Sequence, residues 1–344
     1  MIKINKNLIF DYKKPPLIIA EISGNHLGSK SRFLKLIESA CKNGADLVKI
    51  QTYEPDDMTI HKKTNLLRIK SGLWKNEYLW DLYKKACTPY SWHNDAFKVA
   101  KKFNKVLFST PFSIKAVDFL EKFKVPLYKI SSFEITDFKL IDYIASKRKT
   151  IIMSTGMSTI TEIKRAIKII NKYHNKIVIL HCVSNYPTDL RDTEINKINI
   201  LKKKFKKYLI GLSDHSNNIF SSIASLPFNI VAIEKHFSID NKKTPDSEFS
   251  INPKMLYDLK KSSHKLHSSL FLNHNMKIQK GNIKLRRSIF AKVNIKKNNK
   301  ITEKNIISLR PSIGINAKDY FKIIGKKAKK NLEKDEPIFY GDIK

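Results

Sequence analysis

The sequence predicts an α/β fold: a (β/α)8 barrel followed by a small, mostly β domain. Three observations predict it. Between residue 17 and about residue 273, eight short apolar runs rich in β-branched residues alternate with stretches whose apolar positions recur at helical spacing. Eight such units spread over about 260 residues match the size of a single barrel. Beyond that point the helical spacing stops, and short β-type runs with turn residues take its place.

The runs lie at 17–22 (LIIAEI), 47–51 (LVKIQ), 106–109 (VLFS), 127–131 (LYKIS), 150–154 (TIIMS), 177–181 (IVILH), 209–213 (LIGLS) and 230–236 (IVAIEKH). Segments 94–103 and 161–173 (TEIKRAIKIINKY) show the helical spacing between them. A doubly wound sheet is the alternative, but no G-x-G-x-x-G follows the first run. Residues 53–92 form an insertion between the second strand and the next helix, rich in aromatics (Trp74, Tyr78, Trp80, Tyr83, Tyr90, Trp92). The barrel is expected over 1–273 and a linker over 274–285, polar and containing Gly281. The second domain is expected over 286–344, with β-type runs at 288–293 and 306–309 and Gly314, Gly325 and Gly341 at turns. So small a unit is expected to dock against a partner.

The 344 residues are 42% hydrophobic and 28% charged, which excludes a disordered chain, a collagen or a disulfide scaffold. Three cysteines (Cys41, Cys87, Cys182) are too few and too odd for a stapled secreted fold, so a reducing cytoplasm is expected. None of the three is given a role. The formal net charge of +35 suggests nucleic acid, but only eight of the 66 basic residues are Arg. Phosphate and base readout favour the guanidinium fork. The lysines are spread along the whole chain, so no nucleic-acid partner is expected, though the charge can steer anions. The polar start at 1–11 does not resemble a signal peptide, so none is expected, and no apolar run has membrane-spanning length.

Barrel chemistry sits where the strands end. The eight ends supply Glu21, Asn25 and His26; Lys49 and Gln51; Ser109 and Thr110; Lys129, Ser132 and Glu134; Ser154 and Thr155; His181, Ser184, Asn185 and Tyr186; Ser213, Asp214 and His215; and Glu234, Lys235 and His236. A single Ser at a strand end more often caps the next helix, and a single His more often satisfies a hydrogen bond. All eight ends being polar is harder to explain that way. Lys49, Lys129, Thr110, Ser132, Ser154 and Ser213 suit a ligand carrying both phosphate and carboxylate. His215 and His236, on neighbouring strands without Cys companions, suit an open divalent site such as Mn²⁺, with Mg²⁺ or Co²⁺ as alternatives.

The motifs AEISGNHLGS (20–29), GADLVKIQT (44–52), STPF (109–112), YKISSFEITD (128–137), STGMST (154–159), HCVSNYPTDL (181–190), GLSDHS (211–216), IEKHF (233–237) and TPDSEFS (244–250) together resemble the sialic acid synthase family. SLRPSIGI (308–315) and IGKKAKKNLEKDEPI (324–338) resemble that family's C-terminal SAF (antifreeze-like, β-clip) domain. Phe133, where neuraminate-forming members usually carry Gly, and the 71–93 segment are similar to the pseudaminate-forming branch. Ser184 stands where neuraminate enzymes often carry Asn.

The resemblance implies condensation of phosphoenolpyruvate (PEP) with an amino-sugar aldehyde and release of phosphate. In that branch the sugar is 2,4-diacetamido-2,4,6-trideoxy-L-altrose; a neuraminate or legionaminate synthase is the alternative. It implies PEP contacts from Lys49, Gln51, Thr110, Lys129, Ser132, Ser154, Ser184 and Ser213, and sugar contacts from Glu21, Tyr186 and Asp246. Glu134 is expected to activate water, with Glu21 second. Phe133 and the insertion are expected to wall the 6-deoxy end of the sugar. The resemblance further implies a domain-swapped homodimer in which Arg310 reaches the sugar in the partner's site.

Overall fold

The computed structural model describes residues 1–271 and 280–344. Eight parallel strands close into a barrel: β1 (Leu17–Glu21), β2 (Leu47–Thr52), β3 (Val106–Pro111), β4 (Leu127–Ile130), β5 (Thr150–Ser154), β6 (Ile177–Cys182), β7 (Leu209–Asp214) and β8 (Ala232–His236). They follow one another around the ring, and β8 pairs with β1 to close it. Every residue of β4 to β8 is buried. Helices cover the ring outside and side chains fill it inside, so these runs can carry little polarity except where it is used.

The ends differ slightly from the expectations. The last strand begins at Ala232, and β3 runs on to Pro111. The 161–173 helix spans Ile160–Ile170, opened by a capping box in which Thr159 and Glu162 satisfy each other's backbone N–H, and it stops at Asn171. The 94–103 helix spans His93–Lys102. The insertion is more structured than its sequence suggests: it holds a helical turn at Pro55–Met58 and a full helix at Leu79–Ala86.

Period-two alternation sorts the strand residues into two sets. Ile18, Ala20, Val48, Ile50, Leu107, Tyr128, Ile151, Ile179 and Ile210 pack outward with helix residues such as Phe33, Leu36, Leu120 and Ile141. Ile19, Leu47, Phe108, Leu127, Ile152, Val178, Leu180, Leu209 and Ala232 face inward and form a separate core with Phe10. Phe10 belongs to a short antiparallel pair, Ile2–Lys3 with Ile9–Phe10, that meets the inner layer at the strands' first residues. Phe108 is fully buried in this layer, and truncation to Ala would cost about 3–5 kcal/mol. Gly211 makes room for the layer: a Cβ there would lie 2.6 Å from Leu180 Cδ2 and 2.7 Å from the Ala232 carbonyl oxygen.

The chain divides into two units, Met1–Asn273 and His274–Lys344. Of the expected 274–285 linker, residues 274–279 lie outside the described residues, and Lys280–Ile283 form a helical turn. In the second unit β9 (Ser288–Ala291) pairs antiparallel with β10 (Ile306–Leu309). Its own core gathers Ile289, Ile295, Ile301, Ile306, Ile315, Ile323, Leu332, Ile338 and Ile343. Among the described residues no helix is long and apolar enough to cross a membrane.

Candidate active site

A cavity of about 1080 Å³ opens at the C-terminal ends of the barrel strands. Its floor follows from the inward parity. Two or four residues beyond the inner apolar layer, the same alternation brings Glu21, Lys49, Lys129, Ser154, Cys182, Ser213, Glu234 and His236 inward. Lys49 Nζ lies 2.7 Å from Glu21 Oε2 and 2.7 Å from Glu234 Oε1. Lys129 Nζ lies 3.4 Å from the same Glu234 oxygen, to which Ser213 Oγ donates at 3.4 Å. All five side chains are buried. Burial disfavours charge on Glu234, but the Lys129 and Lys49 ammoniums outweigh it and pull the carboxyl down to about 2. Burial pushes Lys49 down to about 7 against the attraction of Glu234, with Lys129 adding to the fall.

Beside this floor the ends of β4, β5 and β6 bring hydroxyls together. Ser132 Oγ accepts the Gly156 N–H at 3.0 Å. A Cβ on Gly156 would sit 2.0 Å from Ser184 Oγ and 2.9 Å from Ser132 Oγ, so only glycine lets the two serines converge. Thr110 Oγ1, Ser154 Oγ and Glu234 Oε2 are buried with no hydrogen-bond partner among the described residues. A buried hydroxyl left unpaired costs about 1–3 kcal/mol, which a ligand oxygen would relieve.

The two imidazoles stand next, 5.4 Å apart between ring centroids. His215 Nδ1 lies 2.8 Å from the Val183 carbonyl, and His236 Nδ1 lies 3.5 Å from Asp246 Oδ2. The Val183 carbonyl thus faces His215 Nδ1, while His236 Nδ1 is buried without a hydrogen-bond partner among the described residues. Burial holds His236 down at about 4, against the pull of Asp246, so the ring is neutral. For His215 burial acts downward, but Cys182 and the Val183 carbonyl raise it overall. Asp246 also accepts the Gly24 N–H at 3.1 Å. Glu134, at the cavity edge with Ser131 donating to it, is pushed up to about 7 by desolvation, with Lys129 opposing. Rings complete the wall: Tyr186 lies 4.4 Å from His215, and Phe249 lies 4.7 Å from His236.

Residues 36–274 match the NeuB family, and residues 286–344 match the SAF domain. The chain belongs to the NeuB family. It is 37% identical over 339 residues to a pseudaminic acid synthase of Campylobacter jejuni, covering 97% of this chain and 98% of that one. It is 37% identical over 336 residues to a pseudaminic acid synthase of Helicobacter pylori, covering 96% and 98%. The crystal structure of an N-acetylneuraminic acid synthetase from Leptospira borgpetersenii, in complex with citrate, superposes with a TM-score of 0.72 at 27% identity, covering 81% of this chain and 92% of that one. This NeuB member is an enzyme of the nonulosonic acid synthase class, a barrel carrying a C-terminal SAF domain.

Of the residues singled out from the sequence of this NeuB chain, Lys49, Gln51, Lys129, Ser132, Glu134, Ser154, Ser184, Tyr186, Ser213, His215, His236 and Asp246 line the cavity. Glu21 and Thr110 lie buried beneath it. Arg310 lies in the second unit, exposed, just after β10. Several strand-end residues have other work. Asn25 Nδ2 donates to the Phe237 carbonyl, His26 Nε2 meets the Ala86 carbonyl, and His181 Nε2 meets the Thr193 carbonyl.

Among the residues of the wall and floor, Glu234, Cys182 and Phe249 were given no role by the sequence, and Trp74 entered only as part of the insertion expected to wall the sugar. Glu234 could have been found from parity with His236; the two rings carry no local signal. A divalent ion fits the two imidazoles only with further ligands from outside the protein, since among the described residues no group of three or more His, Cys, Asp or Glu comes together to hold a metal.

Proposed function

We propose that the chain condenses PEP with 2,4-diacetamido-2,4,6-trideoxy-L-altrose to give pseudaminic acid and phosphate. The observation that carries this reading is the cavity's polarity: lysines and unpartnered hydroxyls at one side, two imidazoles in the middle, aromatic carbon at the other. Similarity to two pseudaminic acid synthases supports the choice of branch.

Lys49, Lys129 and the hydroxyls of Thr110, Ser132, Ser154, Ser184 and Ser213 hold the phosphate and carboxylate of PEP, with Gln51 beside them. His215 and His236 would hold a divalent ion, Mn²⁺ with Mg²⁺ or Co²⁺ as alternatives, which supplies Lewis-acid polarisation of the aldehyde oxygen when bound. Glu21, Tyr186 and Asp246 orient the sugar. The C2=C3 π pair of PEP forms the bond from C3 to the aldehyde carbon C1, the aldehyde C=O pair moves to its oxygen, which takes a proton from solvent, and positive charge develops at C2. Water adds at C2 and gives its proton to Glu134, whose raised pKa suits a base near neutrality. The tetrahedral species then loses phosphate: its C2–O(phosphate) bond breaks with the pair going to phosphate, while the C2 hydroxyl gives its proton to solvent and becomes the ketone. The same reading places the enzyme in the cytoplasm, where its three free cysteines stay reduced.

The test is phosphate release with PEP and each candidate sugar. Release with the trideoxy-altrose sugar supports the reading. Equal efficiency with N-acetylmannosamine would assign the chain to the neuraminate branch instead.

A further inference from the structure

We propose that Trp74 is a specificity-determining residue: its indole is the part of the wall that receives the apolar terminal group of the acceptor sugar. The inference rests on the condensation proposed above and names the residue that reads the sugar's far end.

Trp74 comes from the 53–92 insertion and lines the cavity. Its Nε1–H is donated to the Pro245 carbonyl at 2.9 Å. An indole has one N–H donor and no acceptor, so with that bond made the ring offers the cavity only carbon. Its centroid lies 5.5 Å from Tyr186 at 42° and 6.1 Å from Phe249 at 86°. Those two rings meet His215 and His236 in turn. An aromatic path thus leads from the imidazoles, where the aldehyde is proposed to react, out to Trp74. The other two tryptophans of the insertion are engaged elsewhere. Trp80 Nε1 donates to Asp56 and its ring stacks on His61, while Trp92 packs on His26 and Phe33.

A sugar with its aldehyde at the imidazoles lays its tail along this path. A methyl group ending there trades water for carbon contact. A hydroxymethyl group in the same place leaves its O–H against carbon with no partner, which is unfavourable. The Nε1–H bond does a second job, since it ties the insertion to the residue before Asp246, and so holds the ring in one orientation.

The experiment measures phosphate release by wild type, W74A and W74Q with PEP and two acceptors. One is 2,4-diacetamido-2,4,6-trideoxy-L-altrose, ending in methyl; the other is N-acetylmannosamine, ending in hydroxymethyl. W74A is expected to raise KM for the methyl sugar roughly tenfold, to leave KM for PEP unchanged, and to lower the kcat/KM ratio of methyl to hydroxymethyl sugar by a similar factor. W74Q retains a donor for the Pro245 carbonyl, so it decides the matter should W74A not fold, and it shifts the ratio the same way. Equal loss on both sugars, or an unchanged ratio in the folded variants, would overturn the assignment. A wild type that releases phosphate with neither sugar would overturn the condensation itself, and this assignment with it.

Discussion

Substituting Glu234 by Gln tests whether the cavity floor is an electrostatic unit. In the wild type two lysines and two glutamates, all buried, balance one another, and Glu234 is the member that meets both cations. E234Q keeps the shape and removes one negative charge, so Lys49 and Lys129 share a buried site with only Glu21 opposing them. Leaving a buried charge uncompensated costs about 3–5 kcal/mol. The pKa of Glu234 points the same way: burial disfavours its charged form in the fold, but the Lys129 and Lys49 ammoniums outweigh burial and hold it below the ordinary carboxylate value.

Because the folded pKa is the lower one, this stability is present above the unfolded pKa and is lost as pH falls toward 2. At neutral pH the barrel transition of E234Q should therefore come roughly 6–10 °C lower, at about 2 °C per kcal/mol for a domain of this size. The gap between variant and wild type should narrow as pH is lowered through the acid range. The assay is thermal denaturation by circular dichroism across pH. A variant that melts within about 1 °C of wild type at neutral pH would refute the reasoning, because Glu234 would then not be compensating the lysines.

His215→Ala and His236→Ala should each abolish phosphate release while leaving the far-ultraviolet spectrum and melting transition near wild type, and chelator should silence the wild type until Mn²⁺ is restored; full activity after chelation would remove the Lewis acid from the scheme. Glu134 must be deprotonated to accept a proton, so kcat/KM should rise with pH through about 7, and E134Q should be slow with that rising limb gone. Gly156→Ala drives a Cβ into Ser184 Oγ and should raise KM for PEP about tenfold or more, with partial recovery in G156A/S184A; an unchanged KM in the single variant would place the phosphate elsewhere. For the swapped homodimer that the family resemblance implies, Arg310→Ala and His215→Ala should each be nearly inactive, yet refolded together they should regain activity from the one site that pairs the Arg310→Ala chain's intact barrel with the His215→Ala chain's intact cap; mixed dimers without activity would refute the exchange.

The barrel was legible because its strands have nowhere to be polar except at the ends. A run such as LIGLS keeps its apolar character until Ser213, the residue that meets the cavity, and that change of texture marks both the strand and its functional end. The lysines were legible for the same reason, since an ammonium inside a run like LVKIQ needs a partner. What stayed hidden was pairing. Nothing near Lys49 in sequence shows that its counter-charges are Glu21 and Glu234, because the closure of β8 on β1 is what brings those carboxylates together. Phe249 and Trp74 were hidden for a related reason. Each lies outside the barrel strands, and they meet only because the insertion folds back on the loop that carries Asp246.

Parity also explains why so many strand-end residues are polar while only some face the cavity. His215 and Glu234 turn toward it, and their neighbours Asp214 and Lys235 turn away. Lys235 Nζ lies 3.2 Å from Asp214 Oδ2, and these two residues are register partners across β7 and β8. Ser221 and Ser222 donate to the same carboxylate, and Lys235 also donates to the Ser216 carbonyl. On another side of the ring, Thr52 Oγ1 meets Ser109 Oγ at 2.6 Å and His93 Nε2 at 2.8 Å, joining β2 and β3 to the helix that follows the insertion. Each outward residue is thus satisfied by the scaffold next to an inward residue that is left available. A strand end built this way can hold an underpaired lysine, hydroxyl or imidazole in place, because the backbone carrying it is fixed from behind. That arrangement accounts for polar residues in consecutive positions, as in S-D-H-S and E-K-H, where alternation alone would call for polarity only at every second one.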